Sequence, residues 1–131
     1  MSDEDARAGI LLFAHGSRVE EANESVHELA RQVQNAGDLG YVRAAFLELA
    51  QPDLSAAISE AVEAGVEHLI VVPYFLTSGT HIQRDLPGLI ERERQKHVGL
   101  PIEVSESLEG HPLMPSLILS RISSIRRKPA S

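Results

Sequence analysis

Four short apolar runs, rich in β-branched residues, recur along the chain at intervals of about 30 residues: 9–13, 41–47, 67–75 and 102–105. Segments of helical period follow each of them. Their apolar positions are Ala22, Val26, Leu29, Ala30 and Val33, then Leu54, Ile58, Ala61 and Val62, then Leu86, Leu89 and Ile90, and last Ile118, Ile122 and Ile125. Steps of three and four residues are those of an amphipathic helix. A strand and helix repeating at this length make βαβ units, the crossovers that parallel strands require. The first and third runs are apolar enough to be covered on both faces. The alternation therefore predicts an α/β fold, a three-layer αβα sandwich around a four-stranded parallel sheet, with the first and third strands central. Residues 1–131 read as one domain, of ordinary domain length, with 1–8 and 126–131 as loose ends.

Helix boundaries have their own signals. Ser17 and Glu20 match a capping box, Asp53 and Asp85 suit N-caps, and Pro112 suits a first helical turn. Gly37, Gly65 and Gly99 stand where helices should stop.

Composition removes several functions. A net charge of −7 opposes non-specific binding to nucleic acid or anionic membrane, and the absence of Trp leaves few stacking platforms for bases. With no cysteine, a thiolate metal site, a Cys nucleophile and a disulfide framework are all excluded. Any metal must be held by His, Asp or Glu. No apolar run approaches the ~18 residues of a membrane span, and the acidic N-terminus is unlike a secretory signal, so a cytoplasmic location is expected.

In an open parallel sheet, ligands bind beyond the carboxyl ends of the strands. Those ends carry His15, Ser17 and Arg18 after the first strand and Glu48 after the second. The loop from Thr77 to Asp85, with Ser78, Gly79, Thr80, His81 and Arg84, follows the third, and His111 the fourth. His15 to Glu48 and Glu48 to His81 are each 33 residues, so each group occupies the same station one unit along. Imidazole and carboxylate together suit first-row divalent ions such as Fe, Co, Ni or Zn. Singly, each of these residues reads as a loop or strand-end side chain; together, at the expected edge, they read as a site. His27, His68 and His97 lie within a helix or before strands, on the wrong side of the sheet, and are poor candidates that read as surface residues. His111, directly before Pro112, is equally suited to capping. The glycine loops lack both the G-x-G-x-x-G and the G-x-x-x-x-G-K-[ST] patterns, and neither Ser17 nor Ser78 lies in a G-x-S-x-G elbow.

Three phrases then stand out. They are Leu12-Phe13-Ala14-His15-Gly16-Ser17-Arg18, Ala45-Phe46-Leu47-Glu48-Leu49-Ala50-Gln51-Pro52, and Val71-Val72-Pro73-Tyr74-Phe75-Leu76 continued by Gly79-Thr80-His81-Ile82-Gln83-Arg84-Asp85-Leu86-Pro87. In that order and at that spacing, over about residues 9 to 120, the chain resembles the small sirohydrochlorin chelatases. These are class II tetrapyrrole metal chelatases of cobalamin and sirohaem biosynthesis. The resemblance implies a chelatase-like sheet of flavodoxin-like winding. It also implies ATP-independent insertion of Co²⁺, or of Fe²⁺ or Ni²⁺, into sirohydrochlorin, with no permanent cofactor because the metal is itself a substrate. By position, His15 and His81 match the family's metal-holding histidines and Glu48 its acidic residue. The longer relatives contain two such halves, so a homodimer is implied.

The chemistry suits that set. Metallation exchanges two pyrrole N–H protons for one divalent ion, so the protein must hold the ion exchangeably and accept protons. An imidazole must be neutral to ligate, so binding is expected to fade below about pH 6.5, the ordinary value for free imidazole. Glu48 fits either a third ligand or a proton acceptor. Ser17, Arg18, Arg43, Ser78, Gly79, Thr80 and Arg84 are the candidates for the substrate's carboxylates, and Phe13, Leu47, Tyr74 and Phe75 for its apolar face. The alternative is a non-catalytic carrier of metal or tetrapyrrole that uses the same residues. A receiver-type regulatory module is disfavoured, because it needs an aspartate where His15 and Thr77 stand.

Overall fold

The computed structural model describes residues 8–77 and 79–127, with the backbone alone at Thr80 and His81. Four strands, β1 (Ala8–Ala14), β2 (Val42–Phe46), β3 (His68–Pro73) and β4 (Ile102–Val104), alternate with four helices, α1 (Glu20–Ala36), α2 (Leu54–Glu63), α3 (Thr80–Lys96) and α4 (Met114–Arg126). All strand pairs are parallel and the order is β2-β1-β3-β4, as the alternation predicts. Two residues assigned to the loose ends are structured: Ala8 pairs with His68, and Arg126 closes α4, while 1–7 and 128–131 lie outside the described residues. No helix among the described residues is long and apolar enough to cross a membrane.

Alternating side chains divide the sheet between two cores. Leu11, Phe13, Ala45, Leu69 and Val71 face Leu54, Ala57, Ile58 and Ala61 of α2 and Ile90 of α3. Leu12, Ala14, Val42, Ala44 and Phe46 face Val26 and Ala30 of α1. Lys96 joins α3 to α2, donating to the buried Glu93 carboxylate at 3.0 Å and to Ser55 Oγ at 3.4 Å.

Several boundary signals were misleading. The N-cap of α1 is Val19, and Ser17 Oγ instead accepts from Val19 N at 3.0 Å in a local turn. Asp85 lies inside α3, which starts six residues earlier than an Asp85 cap would allow. Its first turn is secured by Gln83 N donating to Gly79 O at 3.2 Å and by Ile82 packing on the core. Pro87 is tolerated within that helix on its exposed side. Pro112 precedes α4 rather than opening it; Pro115 occupies the first turn. Asp53 does cap α2, accepting from Ala56 N at 2.8 Å.

Candidate metal-binding edge

His15 is the first residue beyond β1, and Glu48 lies two residues beyond β2. The strand pairing does not stop where the strands end. Leu47 N donates to Ala14 O at 2.9 Å and Glu48 N to His15 O at 3.1 Å, so the two loops remain joined backbone to backbone. On the other flank Tyr74 N donates to Phe13 O at 2.7 Å. This contact dictates a glycine: Gly16 has φ of +94°, and a Cβ there would lie 1.8 Å from the Glu48 carbonyl oxygen.

Each loop is also pinned at its far end. Asn23 is buried, its side-chain oxygen accepting from Ser17 N at 2.9 Å and its amide donating to Ser17 O at 2.8 Å. The loop after β2 passes through Leu49 at φ +66° and a cis Gln51–Pro52 bond. It closes with Phe46 N donating to Pro52 O at 2.9 Å.

On this frame His15 Nε2 stands 3.7 Å from Glu48 Oε1, and both side chains are more than half exposed. An ion pair so exposed adds little stability, on the order of 0–1 kcal/mol. The geometry suits ligation better. His15 Nδ1 lies 3.3 Å from Gly16 O, so a proton held there leaves the Nε2 lone pair on the Glu48 side. A divalent ion about 2.1 Å from each atom would bridge them at an angle of roughly 120°. Among the described residues, no third His, Cys, Asp or Glu completes a cluster with them.

His81 falls in the first turn of α3, not in an extended loop as expected, and its backbone stands beyond the carboxyl end of β3 at the same edge. Its side chain and that of Thr80 lie outside the described residues, as does Ser78 altogether. Gly79 is the N-cap of α3. Arg18 is exposed in the His15 loop. Arg84 and Arg92 line a cleft of about 330 Å³ between α3 and the ends of β1 and β2, with Phe13 and Leu47 also in its wall.

Three candidate groups are placed elsewhere. Arg43 pairs with Leu11, well below the carboxyl edge, and its guanidinium is engaged by Gln34 Oε1 at 3.1 Å, by Val42 O at 2.9 Å and by the Tyr41 ring at 4.4 Å. Burial pushes the Tyr41 hydroxyl above its ordinary range, an effect that Arg43 partly offsets. Phe13 and Phe75 are core residues packed edge to face, not a surface for a macrocycle. His111 closes the turn that leads into α4, its Nδ1 accepting from Leu113 N at 3.0 Å. The histidines set aside are half-buried and engaged in packing or pairing: His27 packs on Phe46, His68 pairs with Glu103 at 3.0 Å, and His97 ends α3.

Two residues of this region had been missed. Asn23 shares the 23, 26, 30 spacing of the buried stripe of α1, and a polar residue on that stripe is the signal the sequence offers. Arg92 lies eight residues after Arg84, two helical turns along the same face.

The CbiX family model matches residues 9–125. The chain belongs to the CbiX family. Relatives of this CbiX chain include the sirohydrochlorin cobaltochelatase of Methanopyrus kandleri, 37% identical over 84 residues (64% of this chain, 59% of that one). The sirohydrochlorin cobaltochelatase of Methanosarcina acetivorans is 31% identical over 88% of this chain and 95% of its own. The chloroplastic sirohydrochlorin ferrochelatase of Arabidopsis thaliana is 30% identical over 87% of this chain, which spans 51% of that relative. Among solved structures, a CbiX protein from Marinobacter aquaeolei superposes with a TM-score of 0.79 at 31% identity, over 92% of this chain and 99% of that one. The sirohydrochlorin chelatase SirB of Bacillus subtilis subspecies spizizenii, in complex with cobalt, shares the fold with a TM-score of 0.81 at 24% identity. The match covers 91% of this chain and 51% of SirB.

Proposed function

We propose that this CbiX chain inserts a divalent metal, Co²⁺ foremost, into sirohydrochlorin without ATP, as a homodimer in the cytoplasm. The observation that carries the reading is the exposed His15–Glu48 pair, 3.7 Å apart on two loops locked to each other, with His81 at the same sheet edge. The names of the relatives point the same way, and they include both cobalt and iron enzymes.

In this reading His15 and His81 hold the ion through neutral imidazoles, and Glu48 completes the set. Exposure of the pair lets the macrocycle reach the ion from outside. As the ion passes to the ring, two pyrrole N–H protons are released for each M²⁺ inserted. Glu48, beside the ion, accepts the first of them once the metal leaves its oxygen, and the second passes to solvent water at the exposed edge. Arg18, Arg84 and Arg92 are placed to meet the carboxylates of the macrocycle, where guanidinium forks bind such groups bidentately. The metal is substrate rather than resident cofactor.

The test mixes the purified chain with metal-free sirohydrochlorin and Co²⁺, Fe²⁺ or Ni²⁺, and follows metallation by absorbance. More than one product per chain, fastest with Co²⁺, is expected. Stoichiometric binding without turnover would instead establish a carrier.

A further inference from the structure

Along α3, positions 84, 88 and 92 follow one another at the four-residue step of a helix face, and they read Arg, Gly, Arg. Glycine inside a helix is unfavourable, and this one directly follows Pro87, so local propensity does not explain it. The space above it does. No atom lies within 4 Å of where a Cβ on Gly88 would stand, and Arg92 leans back over that gap, its Nε 3.4 Å from Gly88 O. Arg92 is thereby turned towards Arg84. Both line the cleft of about 330 Å³, whose apolar walls are Phe13, Leu47, Ile82, Leu86 and Leu89. Neither guanidinium has a carboxylate partner among the described residues, and Asp85 in the same wall is itself engaged. Other arginines are held: Arg31 pairs with Glu28 at 2.7 Å, and Arg94, in a larger cleft on the β4 side of α3, bonds Ile102 O at 2.7 Å and Glu91 at 3.4 Å. Two unpaired cations at one apolar cleft repel each other until an anion comes between them.

Position and size identify the anion. Leu47 precedes Glu48 and Ile82 follows His81, so the cleft adjoins the proposed metal ligands. Its volume of about 330 Å³ lies at the lower end for pockets that enclose a drug-sized molecule, too small for a whole macrocycle. One acetate or propionate arm of a tetrapyrrole fits, its methylene carbons on the apolar wall and its carboxylate between two guanidinium forks. We propose that Arg84, Gly88 and Arg92 form a socket for a single carboxylate arm of the tetrapyrrole, which fixes the rotation of the ring over the metal. Arg84 and Arg92 supply the charge and the hydrogen-bond geometry, and Gly88 supplies the room between them. The inference rests on the sirohydrochlorin reading of the proposed function and adds how the ring is oriented.

Binding of metal-free sirohydrochlorin, followed by the fluorescence of the tetrapyrrole with no metal present, tests the socket apart from chelation. Arg84→Gln and Arg92→Gln are each expected to weaken binding about tenfold, as loss of a charged hydrogen-bond donor does. The double variant should lose less than the product of the two, because one carboxylate serves both arginines. Arg31→Gln removes the same charge from α1 and should bind within about twofold of the native chain, since distant surface charges are screened. Gly88→Leu fills the gap with a good helix former. It should hold or raise the urea midpoint and still weaken binding, a split that a purely structural role for Gly88 would not give. Native affinity in Arg84→Gln and Arg92→Gln, an equal loss in Arg31→Gln, or native binding by Gly88→Leu would each overturn the socket and leave chelation standing. A native chain that binds as described but metallates nothing would overturn chelation and support the socket; one that binds no sirohydrochlorin would overturn both.

Discussion

The His15–Glu48 edge and the C-terminal helix depart from ordinary globular structure in opposite ways. At the edge the side chains that matter are polar and exposed, and the backbone beneath them is unusual: Gly16 and Leu49 have positive φ, and two loops are hydrogen-bonded past the ends of their strands. In α4 the backbone is plain helix and the side chains are unusual, because aliphatic groups stand in water. At the edge an unusual backbone fixes where the exposed polar groups stand. The relaxed backbone under the exposed apolar groups of α4 has no such preorganised geometry. The two regions should therefore respond differently to mutation: a change at the edge acts through the frame beneath it, whereas a change on the exposed α4 stripe leaves its helix in place.

The largest effect is expected at Gly16. In Gly16→Ala the new Cβ would meet the Glu48 carbonyl at 1.8 Å, against backbone that cannot swing aside cheaply. A loss on the order of 3 kcal/mol or more is expected in urea unfolding, with loss of metallation. An unchanged midpoint would mean that the two loops do not touch. Asn23→Ala comes next. It strands the N–H and C=O of Ser17, and about 2 kcal/mol should be lost in the same experiment. Chelation should fall too, although no proposed ligand is altered. Asp53→Ala removes the cap of α2 beside the Glu48 loop, for about 1 kcal/mol. Smallest in stability are His15→Ala and Glu48→Gln, both expected within about 0.5 kcal/mol of the native chain because their side chains are exposed. If either destabilised the chain as much as Asn23→Ala does, the edge would be a structural network and the contrast with α4 would fail.

The sheet was legible because its determinants are local. Four apolar runs and four periodic segments fix parallel crossovers, and the carboxyl edge then follows for His15, Glu48 and His81. What escaped prediction depends on contacts between distant segments. Asn23 reads as a solvated helix residue until the Ser17 backbone is folded against it. The start of α3 was read too late because Ser78, Gly79 and Pro87 resemble loop residues, whereas Ile82 packing on the core carries the helix back to Thr80. Arg43 follows the pattern of a basic site residue, but its place low on β2 and its bonds to Gln34 and Val42 are tertiary facts. The stripe of α4 was visible as periodicity; its exposure was not, since periodicity reports an apolar face and not what covers it.

The central claim is that His15, Glu48 and His81 bind one metal ion between them. Titration with Co²⁺ in the absence of tetrapyrrole, on the native chain and on His15→Ala, Glu48→Gln and His81→Ala, measures it directly. The account predicts one ion per site, weakened tenfold or more by each substitution while the unfolding midpoint holds. Equal Co²⁺ affinity in all four folded proteins would contradict it.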